Sequence, residues 1–200
     1  MTDTVINFHE PNASSCCEMV SEICENVPHL RLTRHEANAL LSGIYLDTKT
    51  FTERTGARTF EAAAYLKRQG ADTSQVKEFF KNDIESYKKQ IDMIAAAEVV
   101  RGRFAVSVWE EESFEGIKLI ASKAADELLN LSHIDCAYVI YPENEDAHIS
   151  ARSDVHGNVQ RDMERLGGGG HRNAAGAQLK NTSVREAYKA LIDILESEEK

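Results

Sequence analysis

The sequence predicts an α/β fold, and three observations carry that prediction. Strand-like and helix-like segments alternate along its 200 residues. In the helix-like segments, apolar residues recur at steps of three and four behind capping residues. The segments between them are short apolar or alternating runs, several of them closed by Gly, Pro or Asp. A hydrophobic share of 42% is enough for one large core or two small ones.

Taken in order, Val5 to Phe8 reads as a short strand entering a turn at Glu10-Pro11-Asn12. Ser15 and Glu18 have capping-box spacing and predict a helix over Cys16 to Cys24. Thr33 and Glu36 repeat that signature ahead of a helix over Arg34 to Leu41. The run Ile44-Tyr45-Leu46 reads as a buried strand with Asp47 at its carboxyl end. Thr59 is expected to cap a helix through Arg68 that stops at Gly70. From Thr73 to Glu98 the pattern is helical: Val76, Phe80, Ile84, Tyr87, Ile91 and Ile94 form one apolar stripe, and Asn82 with Glu85 can restart a helix midway. This segment is the expected connector between two domains, with a boundary near Ala97. Beyond it, Arg103 to Trp109, Ile134 to Tyr141, Ala147 to Arg152 and Ala177 to Leu179 read as strands. Gly116 to Leu131, Asn158 to Leu166 and Ser183 to Glu196 read as helices.

The formal net charge is -10. A broad negative field opposes long nucleic acid, which binds chiefly through phosphate neutralisation, but leaves room for a small anion in a local positive pocket. Cys16, Cys17, Cys24 and Cys136 form no CxxC pair, which excludes zinc-ribbon and thioredoxin-like chemistry and fits reduced thiols in a cytoplasmic protein. No apolar run approaches the roughly 20 residues that span a bilayer, so no membrane contact is expected of this chain itself.

The sharpest chemical feature is Gly167-Gly168-Gly169-Gly170-His171-Arg172-Asn173-Ala174-Ala175-Gly176. Consecutive glycines lose much entropy on folding, and bare backbone N–H groups can approach an oxyanion closely. A short helix beginning near His171 would add its N-terminal partial charge at the same spot. Ser150 and Arg152 alternate on one strand face, where a hydroxyl and a guanidinium suit a phosphate; a lone strand-end Arg is as readily solvated. Asp47, at a strand end, has the hardness to bind magnesium or manganese, although one carboxylate is not a metal site. Arg54 and Arg58 face either a phosphate or solvent.

These residues resemble a known family. GGGGHRNAAG (167–176) looks like the glycine-rich, histidine-containing signature of the DHH-associated domain, the C-terminal module of DHH phosphoesterases. ISARS (149–153) and NVQRDMERLGGGG (158–170) resemble the same module. GIYLDTKTFTERTGARTFEAAAYLKRQGAD (43–72) resembles the last conserved block of the DHH domain, and EPNASSCCEMVSE (10–22) the block before it. The combination is most similar to membrane-anchored cyclic-di-AMP phosphodiesterases that end in a cytoplasmic DHH and DHH-associated pair.

The resemblance implies the C-terminal part of a DHH domain over residues 1–72, a connector of one or two helices over 73–97, and a smaller α/β DHH-associated domain over 98–200. It implies a two-metal site, usually manganese, that hydrolyses cyclic-di-AMP to linear pApA or AMP, with Asp47 as one metal ligand. It implies substrate contacts from Arg152, Ser153, Gly168, Gly169, Gly170, His171 and Asn173. The Asp-His-His triplet and the remaining metal ligands are absent from these residues and are expected before residue 1, so the chain alone is expected to bind a cyclic or short linear dinucleotide without cutting it. Alternatives are a phosphodiesterase or single-strand exonuclease acting on short oligonucleotides, and a non-catalytic nucleotide-binding module. Base preference and oligomeric state stay open, and a homodimer is compatible with everything read here.

Overall fold

The computed structural model describes residues 7–197. The chain divides into two compact units, one up to Lys81 and one from Asn82 onward. Val5 and Ile6 of the strand predicted over Val5 to Phe8 lie outside the described residues, and Asn7 and Phe8 carry no regular structure.

The described part of the first unit is helical. It contains α1 (Cys16–Asn26), α2 (Arg34–Asp47), α3 (Ala57–Arg68) and α4 (Thr73–Glu78) around Ala37, Leu41, Ile44, Leu66 and Val76. The Thr33–Glu36 capping box closes reciprocally at the start of α2. Ser15 accepts the Glu18 amide, but the Glu18 carboxylate takes the Ser14 hydroxyl and amide instead of reaching back to Ser15. The strand expected over Ile44 to Leu46 is the last turn of α2. Ile44 is fully buried and Leu46 is 65% exposed, the split of a helix with one apolar side, and Ala37, Leu41 and Ile44 continue the stripe that the capping box begins. Thr59 is not the cap of α3. Gly56 is, and Thr59, inside the first turn, accepts the Gly56 amide through its hydroxyl.

The helical segment after Thr73 is broken, and the break between the two units falls within it. α4 ends at Glu78 and a new helix, α5 (Ile84–Ala95), starts behind Asp83, whose carboxylate accepts the Glu85 and Ser86 amides. The second unit continues with β1 (Glu98–Val100), β2 (Phe104–Val108), α6 (Ile117–Leu128), β3 (Cys136–Glu143), β4 (Asp146–Ser153), α7 (Val159–Arg165), β5 (Gly169–His171), β6 (Ala174–Leu179) and α8 (Val184–Glu196). Its six strands form a sheet in the order β1-β2-β3-β4-β6-β5. Only β2 and β3 run parallel, joined by α6 as the crossover; the other pairs are antiparallel.

Side chains alternate across the sheet, so each face has its own core. One, with Tyr138, Ile140, Ile149 and Ala151, packs under α7 and α8 through Met163, Leu191 and Leu195. The other, with Ala137, Val139 and Tyr141, packs under α5 and α6 through Met93, Ile120, Ala124 and Leu128. α6 runs along β3 and β4 and stops short of β6 and β5, which leaves that end of the sheet open on one face. No described helix is long and apolar enough to cross a membrane.

The α7 side carries a buried polar group: the Tyr138 hydroxyl donates to Asp162 at 2.5 Å, beside Cys136. Burial pushes the Cys136 thiol up to about 11 and raises the Tyr138 phenol further. Both groups are neutral when protonated, and their folded-state values lie above the unfolded ones. The stability they contribute is therefore complete below about pH 9 and is lost as pH rises through the folded values. Denaturant unfolding is expected to show stability falling from about pH 9 upward. Cys136→Ala should remove the part between pH 9 and 11, worth roughly 2–3 kcal/mol. The same alkaline slope in both proteins would rule out the thiol as its source.

Candidate functional site

The open end of the sheet forms a groove of about 480 Å³. Its floor alternates toward the α6 side: Tyr141 on β3, then His148, Ser150 and Arg152 on β4, then Ala174, Gly176 and Gln178 on β6. Gly169 and Gly170 on β5 close one side; Lys118 and Ser122, one turn apart on α6, close the other. The small residues on β6 and β5 keep the floor low.

Arg152 is fixed at one end. Its Nε lies 3.2 Å from Asp126 Oδ1, and its Nη1 donates to the Ala151 carbonyl at 3.0 Å. Asp126 stands one turn beyond Ser122, so α6 presents Lys118, Ser122 and Asp126 along one flank. Such a clamped guanidinium keeps a face for an oxyanion while losing little side-chain entropy on binding. The Ser122 and Ser150 hydroxyl oxygens are 3.5 Å apart across the groove. At the other end His148 stacks on the buried Tyr141 ring, with centroids 5.7 Å apart and planes at 27°. Burial is the main cause that raises the Tyr141 phenol, against hydrogen bonding to Ser150.

The glycine run is a strand and a turn, not a helix start. Gly169–His171 pairs with Ala174–Gly176 across a two-residue turn at Arg172-Asn173. Ala174 and Ala175 favour helix by local propensity, but β4 and β5 pair with them on both sides and override that preference. The expected helix N-terminus at His171 is therefore absent. The glycines divide by role. A side-chain carbon at Gly168 would stand 2.2 Å from the Gly176 carbonyl, and one at Gly170, where φ is +146°, 2.5 Å from Ala175 Cα. Close packing on β6 explains both. A carbon at Gly169 would meet nothing within 4 Å.

Of the residues singled out in sequence, Arg152, Gly169 and Gly170 line this groove together, with Ser150 between Arg152 and His148. Gly168 lies behind them against β6. Ser153 is on the opposite face; its hydroxyl donates to the Arg172 carbonyl at 2.8 Å and its amide to the Asn173 carbonyl, tying the end of β4 to the hairpin turn. His171 and Asn173 are exposed at that turn and do not line the groove. Arg172 is used internally, donating to the Gly157 and Val155 carbonyls. Lys118, Ser122, Tyr141, His148 and Gln178 join the site unforeseen. The alternation His148, Ser150, Arg152 was available in sequence for one of them; the α6 residues come from a distant segment and become visible only once the sheet is built.

Asp47 belongs to the first unit. It is the last, exposed residue of α2, not the end of a strand, and its charge raises the half-buried Cys17 thiol, after burial. Among the described residues no three His, Cys, Asp or Glu side chains come together in a way that could hold a metal ion. The donors present do not fit a two-metal site. Beyond Asp47 the chain turns through Lys49, Thr50 and Phe51, all with positive φ, held by the buried Thr48 hydroxyl, which donates to the Ile44 carbonyl and accepts the Phe51 amide. Arg58 pairs with Glu22 and Glu10 and so is not turned to a phosphate.

The DHHA1 domain model matches residues 101–198. The cyclic-di-AMP phosphodiesterase PdeA of Listeria monocytogenes is 41% identical over 195 residues, covering 96% of this chain and 30% of that protein. GdpP of Geobacillus thermodenitrificans, named a cyclic-di-AMP phosphodiesterase, is 43% identical over 189 residues, 94% of this chain and 29% of that one. The chain thus spans about 30% of the length of these relatives. Among solved structures, an exopolyphosphatase-related protein from Bacteroides fragilis superposes with a TM-score of 0.79 at 20% identity, covering 94% of this chain and 59% of that one, which shows the shared fold. The glycine strand, the ISARS strand beside it and these matches agree: the second unit of this chain carries a DHHA1 domain, and nearly the whole chain is similar to part of these cyclic-di-AMP phosphodiesterases.

Proposed function

We propose that this chain is the phosphate-gripping part of a metal-dependent phosphodiesterase acting on a cyclic dinucleotide, cyclic-di-AMP above all, or on its short linear product. The observation that carries the proposal is the groove's layout: a guanidinium clamped by Asp126 lines the same groove as a strand glycine at which a side-chain carbon would meet nothing, in a region aligned with two phosphodiesterases. Arg152 would hold phosphate oxygens by charge-assisted hydrogen bonds, Gly169 would let the phosphate approach the backbone, and Lys118 would add a mobile positive charge at the rim. Manganese dependence belongs to the same proposal, with Asp47 as one ligand of a site that other residues of a longer protein would complete. A cytoplasmic setting belongs to it as well. The net charge of -10 favours small dinucleotides over the family's longer single-stranded substrates.

The metal supplies activated water and a clamp for the leaving oxygen in two-metal phosphodiesterases, and this needs two ions about 4 Å apart. Purified chain incubated with cyclic-di-AMP and manganese should therefore bind the nucleotide and leave it intact on chromatography. At a hundred times the dissociation constant, binding should add about 2.7 kcal/mol of stability, visible as a thermal shift. Turnover that copurifies with the chain would overturn the division of labour; the lack of any shift at millimolar nucleotide would overturn the site itself.

A further inference from the structure

We infer that the end of the groove away from Arg152 is a base subsite that selects adenine, with the His148–Tyr141 stack as its platform and the Gln178 amide as its reader; this rests on the reading of Arg152 and Gly169 as the phosphate end. His148 and Arg152 lie on the same face of β4, four residues apart, roughly 13 Å along the strand. Ser150 and Ser122 line the groove between them, where the sugar of a nucleotide bridging the two ends would lie.

The platform follows from packing. Tyr141 is buried, 2% exposed, and covers one face of the imidazole. His148 also lines the groove, so the ring supported by Tyr141 can offer a flat π-surface of the kind on which bases stack. Glu143 Oε2, 3.5 Å from Nε2, holds the ring from its edge.

The reader follows from hydrogen bonding. Gln178 pairs directly with His148 across the β4–β6 ladder and shares its face. Its Nε2 donates to Asp146 Oδ2 at 2.7 Å, while the other Asp146 oxygen accepts the Asn181 amide at 2.8 Å. These two bonds, the backbone one first, hold the Asp146 carboxyl below its ordinary range, so it is an acceptor and fixes which end of the amide is nitrogen. Gln178, which lines the groove, is then left with its carbonyl oxygen and one N–H for a ligand. An acceptor beside a donor complements the N6 donor and N7 acceptor of adenine. The corresponding edge of guanine offers two acceptors, one of which would oppose the Gln178 oxygen.

Calorimetry with AMP, GMP and ribose 5-phosphate tests this. Wild-type chain should bind AMP roughly tenfold more tightly than ribose 5-phosphate, and AMP roughly tenfold more tightly than GMP. His148→Ala should lower AMP affinity to that of ribose 5-phosphate and leave the latter unchanged. His148→Phe, which keeps an aromatic face, should retain AMP binding. Gln178→Ala should bring AMP and GMP within about twofold. If ribose 5-phosphate binds as well as AMP, the base subsite falls while the phosphate site stands. If none of the three binds, the phosphate reading falls and the subsite with it. Equal losses of AMP and ribose 5-phosphate in His148→Ala, or AMP no tighter than GMP in wild type, would each overturn the assignment.

Discussion

Gly169→Val is expected to remove dinucleotide binding from a domain that stays folded, whereas Gly168→Ala, a smaller change one residue away, is expected to damage the fold. The contrast comes from the direction each absent side chain would take. At Gly169 a side-chain carbon has no neighbour within 4 Å, and its φ is not in the left-handed region, so a β-branched residue fits a strand there. It would fill the place where a phosphate approaches β5. Affinity should fall by at least about tenfold, or 1.4 kcal/mol, with an unchanged melting temperature. At Gly168 the first carbon already lies 2.2 Å from the Gly176 carbonyl and 2.6 Å from Ala177 Cα. Backbone cannot yield as a side-chain tip can, so β5 would have to separate from β6. A loss of roughly 1–3 kcal/mol and a melting point lower by several degrees should follow. Thermal melts of both variants, read beside nucleotide titrations, check the two halves together. If Gly169→Val binds as wild type does, the strand is not part of the site.

Much of the second unit was legible in sequence because its elements announce themselves locally. The continuous apolar runs of β2 and β3, buried on both faces, the Asn158 and Ser183 helix starts and the amphipathic α6 all show in sequence the pattern that their burial later requires. What escaped was decided by tertiary pairing. Ala174 to Gly176 have little strand propensity, and only hydrogen bonding from β4 and β5 makes them a strand. Ile44-Tyr45-Leu46 is too short to separate helix from strand by apolar content; the capping box thirteen residues before Leu46 was the better guide, because it sets the phase of the whole helix. The same error misplaced Asp47.

The site was half legible for a similar reason. The glycine run and Arg152 stand out as residue types whose presence needs an explanation, and they do meet in one groove. But a glycine signature does not say which glycine serves the ligand and which serves packing. That division depends on a partner strand several residues later. Ser153, His171 and Asn173 are neighbours in sequence of residues that line the groove, yet strand alternation and the turn carry them elsewhere. Tyr141 and His148 are ordinary core and strand residues until the β3–β4 register sets one ring on the other.

In the proposed site a clamped guanidinium on β4 holds the nucleotide phosphate, and calorimetry of linear pApA with wild type, Arg152→Ala and Arg152→Lys is the test of that role. Arg152, held through Nε by Asp126 and through Nη1 by the Ala151 carbonyl, lines the groove. Losing charge-assisted bonds to phosphate, each worth about 1.5–3 kcal/mol, should weaken pApA binding by roughly tenfold to a hundredfold in Arg152→Ala. Arg152→Lys should recover only part of that loss, since a point charge cannot keep the Asp126 clamp and grip an oxyanion in the same planar geometry. A dissociation constant within about twofold of wild type in folded Arg152→Ala would be smaller than the loss of a single such bond allows, and would contradict the claim.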